Sequence, residues 1–203
     1  MHLYLIRHGE TLPNRRREFQ GTGNFPLTNI GLAQAEKIAA YFVDIDIHAI
    51  YVSPMDRAMQ TAAPIVQLKQ LSPVPVPQFH EVDCGRWEGV SFFDILENEG
   101  KLLRSWLTDG KTPSPGGESL GDVYRRVGPP LKEIVDRHRH SSDNVAIVAH
   151  GAVNRALICR LLGLSPDRAF CFEQENACIS RFVLDEPFPP KLTMLNSTIH
   201  LGG

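Results

Sequence analysis

Two of the eight histidines in this 203-residue chain come directly behind apolar runs. His8 follows Met1–Ile6 and Arg7, and His150 follows Val145–Ala149. A glycine comes next in each case, Gly9 and Gly151, where missing side-chain bulk lets backbone or a ligand approach closely. Apolar runs of this kind read as buried strands, and in open α/β sheets ligands bind outside the carboxyl ends of the strands. Arg7 adjoins His8, and Arg57 falls in the first turn of a helix expected behind a strand over Ile47–Val52. Folding can therefore gather two guanidinium forks and two imidazoles around one point. Guanidinium forks match phosphate oxygens bidentately, and imidazole titrates near neutrality, so an unprotonated ring nitrogen is available as a nucleophile. Either histidine alone would read as a structural residue, because neither sits in a metal-ligand spacing such as His-Glu-x-x-His. Their joint placement beside two arginines turns the reading toward chemistry on an anion.

The elements that must position these residues follow from periodicity. A helix is expected from Thr28, its cap, to Phe42, with Leu32, Ala35, Ala39 and Phe42 recurring on one face. Ser53-Pro54-Met55-Asp56 reads as the start of the next helix, capped by Ser53, and Pro64 should end or kink it. Residues 84–118 lose strong periodicity and collect glycine and proline, which predicts short helices joined by irregular loops, a lid-like segment. A helix resumes at Ser119, with an interruption expected at Gly128-Pro129-Pro130, and continues to about His140. After the Val145–Ala149 strand an apolar helix runs to Leu162, and strands are expected over Cys178–Leu184 and Lys191–Leu201. Strands separated by helices imply a mostly parallel central sheet covered on both faces, an α/β fold built as a three-layer α/β/α sandwich.

With 42% hydrophobic and 22% charged residues, the chain has the composition of a globular protein, and its length suits one domain over 1–203. Lys plus Arg total 21 against 23 Asp plus Glu, a net charge of −2 that argues against nucleic acid as a partner. The opening apolar run is too short for a signal peptide or a membrane span, so a cytoplasmic protein without a membrane partner is expected. Cys84, Cys159, Cys171 and Cys178 make no Cys-x-x-Cys pair, which points to reduced thiols and no metal site. The sequence leaves a homo-oligomer open.

Leu5-Ile6-Arg7-His8-Gly9-Glu10-Thr11 resembles the signature of the histidine phosphatase superfamily, the phosphoglycerate mutase-like proteins. Further blocks resemble the same family in order: Asn14, Gln20-Gly21, Pro26-Leu27-Thr28, Ser53-Pro54 with Arg57-Ala58, Glu81 with Gly85-Arg86-Trp87-Glu88-Gly89, Pro115-Gly116-Gly117-Glu118, and His150-Gly151. The resemblance implies a phosphoglycerate mutase-like fold and a phosphohistidine mechanism that needs neither metal nor cofactor. In it His8 is the nucleophile, Glu81 the proton donor, and Arg7, Arg57 and a protonated His150 hold the phosphoryl charge. Asn14, Gln20, Gly21 and Gly151 would line the phosphate pocket. Glu88 stands nearby as a competing acid. Many relatives carry arginine two residues before the position of Gln20, where this chain has Glu18 and places Arg17 one position earlier.

Within the family, the chain lacks the extended insertion of the mutases before the second histidine, which favours hydrolysis. The Trp87-Glu88-Gly89 block and Leu195-Asn196-Ser197 resemble the branch of α-ribazole phosphatases and broad-specificity phosphatases. The expected partners are thus a small phosphorylated substrate and inorganic phosphate, with α-ribazole 5′-phosphate as the first choice. A broad-specificity phosphatase and, behind it, a phosphoglycerate mutase are the alternatives. Trp87 and Trp106 read as lid or core packing rather than substrate stackers, Arg15-Arg16-Arg17 as a solvated basic face, and Arg137-His138-Arg139-His140 as a charged helix end.

Overall fold

Strands and helices alternate along the chain in the computed structural model, which describes residues 1–202. Strand β1 (His2–Arg7) turns through Thr11, whose hydroxyl accepts from the Asn14 amide, into the short helix α1 (Leu12–Arg16). Helix α2 (Asn29–Tyr41), capped by Thr28 through the Gly31 amide, precedes β2 (Ile47–Val52), α3 (Asp56–Lys69) and the two-residue β3 (Val74–Pro75). Helices α4 (Phe92–Thr108) and α5 (Leu120–His138) lead to β4 (Asn144–Ala149) and α6 (Gly151–Leu162). Strands β5 (Ile179–Val183) and β6 (Lys191–Ser197) close the fold.

The six strands form one sheet in the order β3-β2-β4-β1-β5-β6. Strands β3, β2, β4 and β1 pair in parallel, while β1–β5 and β5–β6 are antiparallel, so β5 alone runs against the others. The sheet is thus mixed, with the parallel part expected from the sequence and a hairpin at one edge. Side chains alternate across it with the period of two that a strand imposes. Leu3 and Leu5 of β1 join Ile147 and residues of α4, α5 and α6 in a core on one face. Tyr4 and Ile6 join Ile38, Phe42, Ile50, Ile65 and Val148 with α2 and α3 on the other. This is the three-layer α/β/α sandwich. Among the described residues no helix is long and apolar enough to cross a membrane, and all four cysteines are unbridged.

Several local expectations change. Pro64 does not end α3, nor do Gly128, Pro129 and Pro130 interrupt α5. An internal proline costs about 3 kcal/mol, but each helix buries apolar residues on both sides of it: Ala62 and Ile65 in α3, Val127 and Leu131 in α5. Burial of one such large side chain returns about 1.5–3 kcal/mol. Leu32, expected in the core, lies exposed, and Ile38 takes the buried place on α2. Residues 84–118 hold more order than expected, because α4 spans 17 residues. Its backbone leaves helical geometry at Glu99 (φ −129°, ψ 26°), and Ile95, Leu103 and Trp106 are its buried residues. Helix α5 stops at His138, and the last strand stops at Ser197, with a 3₁₀ turn over Ile199–Leu201.

Candidate active site

The register of the parallel strands builds the site. Arg7 of β1 pairs opposite Ala149 of β4, and Val148 of β4 opposite Val52 of β2. The next residues along β1 and β4, His8 and His150, therefore leave the sheet at the same level, and Ser53, the next along β2, comes one step below them beside Ala149. Backbone hydrogen bonds extend the ladder one step further, from His8 N to Ala149 O at 3.0 Å and from Ser53 N to Val148 O at 3.0 Å. The two imidazoles lie with ring centroids 5.2 Å apart.

Their hydrogen bonds assign both tautomers. His8 Nδ1 lies 2.7 Å from the Gly9 carbonyl oxygen, which can only accept, so Nδ1 carries the proton and Nε2 keeps its lone pair. Burial, then Arg7 and Arg57, hold the His8 pKa well below 6.5, so the ring is neutral at physiological pH. Arg57 Nε, which can only donate, bonds His150 Nδ1 at 3.2 Å, so His150 carries its proton on Nε2 and donates it to Ser53 Oγ at 2.7 Å. Burial, then Arg57, His8 and Arg7, depress this imidazole as well. The protonated His150 implied by the resemblance is therefore not the resting state, because a cation there would face Arg57 inside a dry interior. Ser53 is likewise not the expected helix cap: the cap position of α3 is Met55, and Ser53 anchors His150 instead.

Arg57 is fully buried. Its Nη1 donates to Gly23 O at 2.7 Å and its Nη2 to Gly21 O at 3.0 Å. With Nε on His150, three of its five N–H bonds are used within the protein and two remain. Burial is the main cause pulling its pKa down to about 10, with the Glu81 carboxylate opposing. Gly21 adopts φ +52°, and a Cβ there would lie 1.9 Å from Glu88 Oε1. That oxygen accepts from the Thr22 amide at 2.7 Å and the Thr22 hydroxyl at 3.0 Å, so Glu88 holds the loop whose carbonyls grip Arg57. It does not line the cavity, which removes it as a rival acid.

A cavity of about 200 Å³ opens at this end of the sheet, and Arg7, His8, Asn14, Gln20, Gly21, Arg57, Glu81 and Gly151 all line it. His150, the ninth expected site residue, is fully buried behind the wall and reaches the site through Arg57 and His8. Arg7 donates from Nη1 to the Gln174 carbonyl, while its buried Nε has no protein partner. Gln20 Oε1 accepts from Thr11 Oγ1 at 2.8 Å, and Asn14 Oδ1 from Asn176 Nδ2 at 2.9 Å. Glu81 is aimed by two backbone amides, Val82 N to Oε1 at 2.9 Å and Ala152 N to Oε2 at 3.4 Å.

Sequence reasoning missed Arg155 and the aromatic walls Phe19, Phe92 and Phe170, whereas Trp106 lies where a lid or core residue was expected. Phe19, Phe92, Phe170 and Arg155 face the cavity, and Trp106, buried as expected, also forms part of its wall. The spacing of Arg155 four residues after Gly151 on α6 was the available signal, since i and i+4 share a helix face. Its Nε donates to Phe172 O at 2.8 Å, and its guanidinium lies 4.9 Å from the Phe170 ring centroid. Burial first, then Arg7, pull its pKa down to about 10. Ion pairs form elsewhere, as between Arg126 and Glu118 at 2.9 Å, but none forms on Arg7, Arg57 or Arg155 among the described residues. Three unpaired guanidinium groups around one hollow are complementary to an anion of more than one charge. Arg15, Arg16 and Arg17 are exposed, with Arg15 paired to Glu10 at 2.7 Å and Arg17 lying over Phe93, so Glu18 rather than arginine borders the cavity. No group of three or more His, Cys, Asp or Glu among the described residues is placed to hold a metal ion.

The chain is similar to known proteins over nearly its whole length. Residues 3–197 match the model of the histidine phosphatase superfamily (branch 1). Phosphoserine phosphatase 1 of Hydrogenobacter thermophilus is 33% identical over 201 residues, 98% of this chain and 94% of that protein. The adenosylcobalamin/α-ribazole phosphatase of Salmonella typhimurium is 30% identical over 97% of this chain and 96% of its own. Among solved structures, a mycobacterial glucosyl-3-phosphoglycerate phosphatase in complex with VO3 superposes with a TM-score of 0.89 at 26% identity, covering 97% of this chain and 99% of that one. The chain belongs to branch 1 of the histidine phosphatase superfamily, as a hydrolase of its metal-independent phosphomonoesterase type.

Proposed function

We propose that the protein releases phosphate from small phosphorylated metabolites through a phospho-His8 intermediate. The observation that carries this reading is the His8 ring, neutral between two arginines, with Nδ1 tied to Gly9 and the Nε2 lone pair left to attack. A phosphate monoester enters with its oxygens against Arg7 and the two remaining N–H groups of Arg57. Nε2 bonds to phosphorus as the ester P–O bond breaks, and Glu81 gives its proton to the departing alkoxide. Water then loses a proton to Glu81 and attacks the phosphoryl group, the N–P bond breaks, and inorganic phosphate leaves. His150, anchored on Ser53, keeps Arg57 in place by accepting its Nε–H on Nδ1. Residues 84–118 serve as the lid of one unit over 1–203, since Cys84, Phe92, Trp106 and Leu107 roof the cavity.

For the substrate itself, the aromatic walls favour α-ribazole 5′-phosphate, whose base could stack there. The likeness to phosphoserine phosphatase 1 and the third arginine favour a phosphorylated acid instead, and we prefer this reading. The test is phosphate release in EDTA from a panel of α-ribazole 5′-phosphate, O-phosphoserine, 3-phosphoglycerate and p-nitrophenyl phosphate. Release should persist in the chelator and fall at least about a thousandfold in His8→Ala. Full activity in that variant refutes the mechanism.

A further inference from the structure

Strand β5 runs antiparallel to β1, so the turn that enters β5 stands beside the exit of β1, where His8 lies. That turn is closed by Cys178 N to Glu175 O at 3.2 Å, and it donates from Ala177 N to His8 O at 3.0 Å. Ala177 is fully buried with φ +59°, in the left-handed region that a β-carbon disfavours. Such a backbone persists where its surroundings over-determine it, and the residue before it, Asn176, reaches the loop beyond β1. One end of the Asn176 amide meets only acceptors: Asn14 Oδ1 at 2.9 Å, His8 O at 3.3 Å and Gly9 O at 3.4 Å. That end is therefore the NH2 group. The backbone N–H of Thr11, which can only donate, meets the same Asn14 oxygen at 3.2 Å and fixes the Asn14 amide independently. Asn14 Nδ2 is left for the cavity that Asn14 lines.

Thr11 links this amide to a second one. It is fully buried, and its hydroxyl has one hydrogen for two acceptors, Gln20 Oε1 at 2.8 Å and Asn14 Oδ1 at 2.9 Å. Asn176 and the Thr11 amide take the two lone pairs of Asn14 Oδ1, so the hydroxyl hydrogen goes to Gln20, and Gln20 Nε2 is left for the cavity as well. We propose that Asn176 is a positioning residue for phosphate, turning the NH2 groups of Asn14 and, through Thr11, of Gln20 into the cavity. The inference rests on the phosphomonoesterase reading above, since the anion received there is the phosphoryl group. Without Asn176 the Thr11 hydrogen swings to Asn14, and Gln20 loses the bond that orients it. An amide that flips presents an oxygen to the anion in place of a donor, so the loss exceeds that of a single hydrogen bond.

The probe is orthovanadate, a mimic of the phosphoryl group. Its Kd is read by calorimetry in the wild type, Asn176→Ala, Asn14→Ala and the double variant, with urea unfolding to verify each fold. Asn176→Ala should weaken binding about tenfold. The same substitution made in Asn14→Ala should cost about threefold or less, because one of the two amides it orients is already gone. A residue that merely held the turn together would weaken binding by the same factor in both backgrounds. Wild-type affinity in Asn176→Ala, or equal losses in the two backgrounds, overturns the proposal. Should Asn176→Ala not fold, side-chain amide NMR of the wild type decides. Orthovanadate should shift the NH2 signals of Asn14 and Gln20 while the Asn176 NH2 stays protected from exchange; silent signals, or an unprotected Asn176, overturn the proposal. Turnover of p-nitrophenyl phosphate separates the two readings. A wild type that binds orthovanadate but hydrolyses nothing ends the hydrolase reading, and the binding comparison still decides the role of Asn176.

Discussion

Lowering the pH from 7.5 to 5.5 should destabilise the fold through His8 and His150 specifically. Both rings are almost completely buried and both are held well below 6.5, by desolvation first and by neighbouring arginines after it. In the unfolded chain each imidazole regains an ordinary value near 6.5 and takes up a proton as the pH drops, while the folded protein does not. The unfolded state therefore binds more protons, and stability falls with falling pH across this window. For a group that stays neutral in the fold, the loss is RT ln(1 + 10^(pKa − pH)), about 1.4 kcal/mol per imidazole at pH 5.5 and less than about 0.1 kcal/mol at pH 7.5. The pair contributes about 2.8 kcal/mol, or roughly 6–11 °C in Tm for a chain of this size. Carboxylates with depressed values, such as Glu118 and Asp122, lose their contribution only as the pH passes below their unfolded values near 4, outside the window. The depressed His2 and His200 add a background common to all variants. Urea unfolding of the wild type, His8→Ala and His150→Ala at the two pH values isolates the effect. Each substitution should shrink the pH-dependent loss by about 1.4 kcal/mol, whatever it does to absolute stability. Equal losses in all three proteins would refute the assignment of two neutral buried imidazoles.

Two further outcomes follow from the site. Ser53→Ala leaves the His150 Nε2 proton without its acceptor in a fully buried place, so stability should drop by about 1–3 kcal/mol and kcat should fall more than KM changes. Unaltered unfolding and turnover would return Ser53 to a role in starting α3. Glu81→Gln keeps the shape of the acid but cannot transfer its proton, so alkyl phosphates should lose far more turnover than p-nitrophenyl phosphate, whose phenolate departs without one. Equal losses on the two substrates would move the proton donor elsewhere.

The parts of this site that belong to strand ends were legible in the sequence, because an apolar run followed by Arg-His-Gly or His-Gly declares both the strand and its exit. Those parts set by packing between distant elements were not. Arg57 could be placed near a strand end, but its grip on the carbonyls of Gly21 and Gly23 depends on a loop thirty-odd residues away. Ser53 carries a capping signature, and only its proximity to His150, across the β2–β4 pairing, reassigns it. Prolines that look like breaks sit in helices whose buried faces hold them together. Protonation states were also beyond the sequence, since they depend on which nitrogen meets a carbonyl and which meets a guanidinium.

Because His8 and His150 leave neighbouring strands at one level, with Ser53 one step below on a third, the hydrogen-bond ladder of the sheet acts as a ruler for the reacting centre. The roof over it, from Cys84 through Trp106, belongs to other elements and shares none of those rungs. Such a division makes the protein readily retuned over evolutionary time: mutations above the sheet can exchange one metabolite for another while the machinery that breaks the P–O bond keeps its spacing. A slip of one rung would carry the opposite consequence, turning every side chain of the strand to the wrong face and disabling every substrate at once.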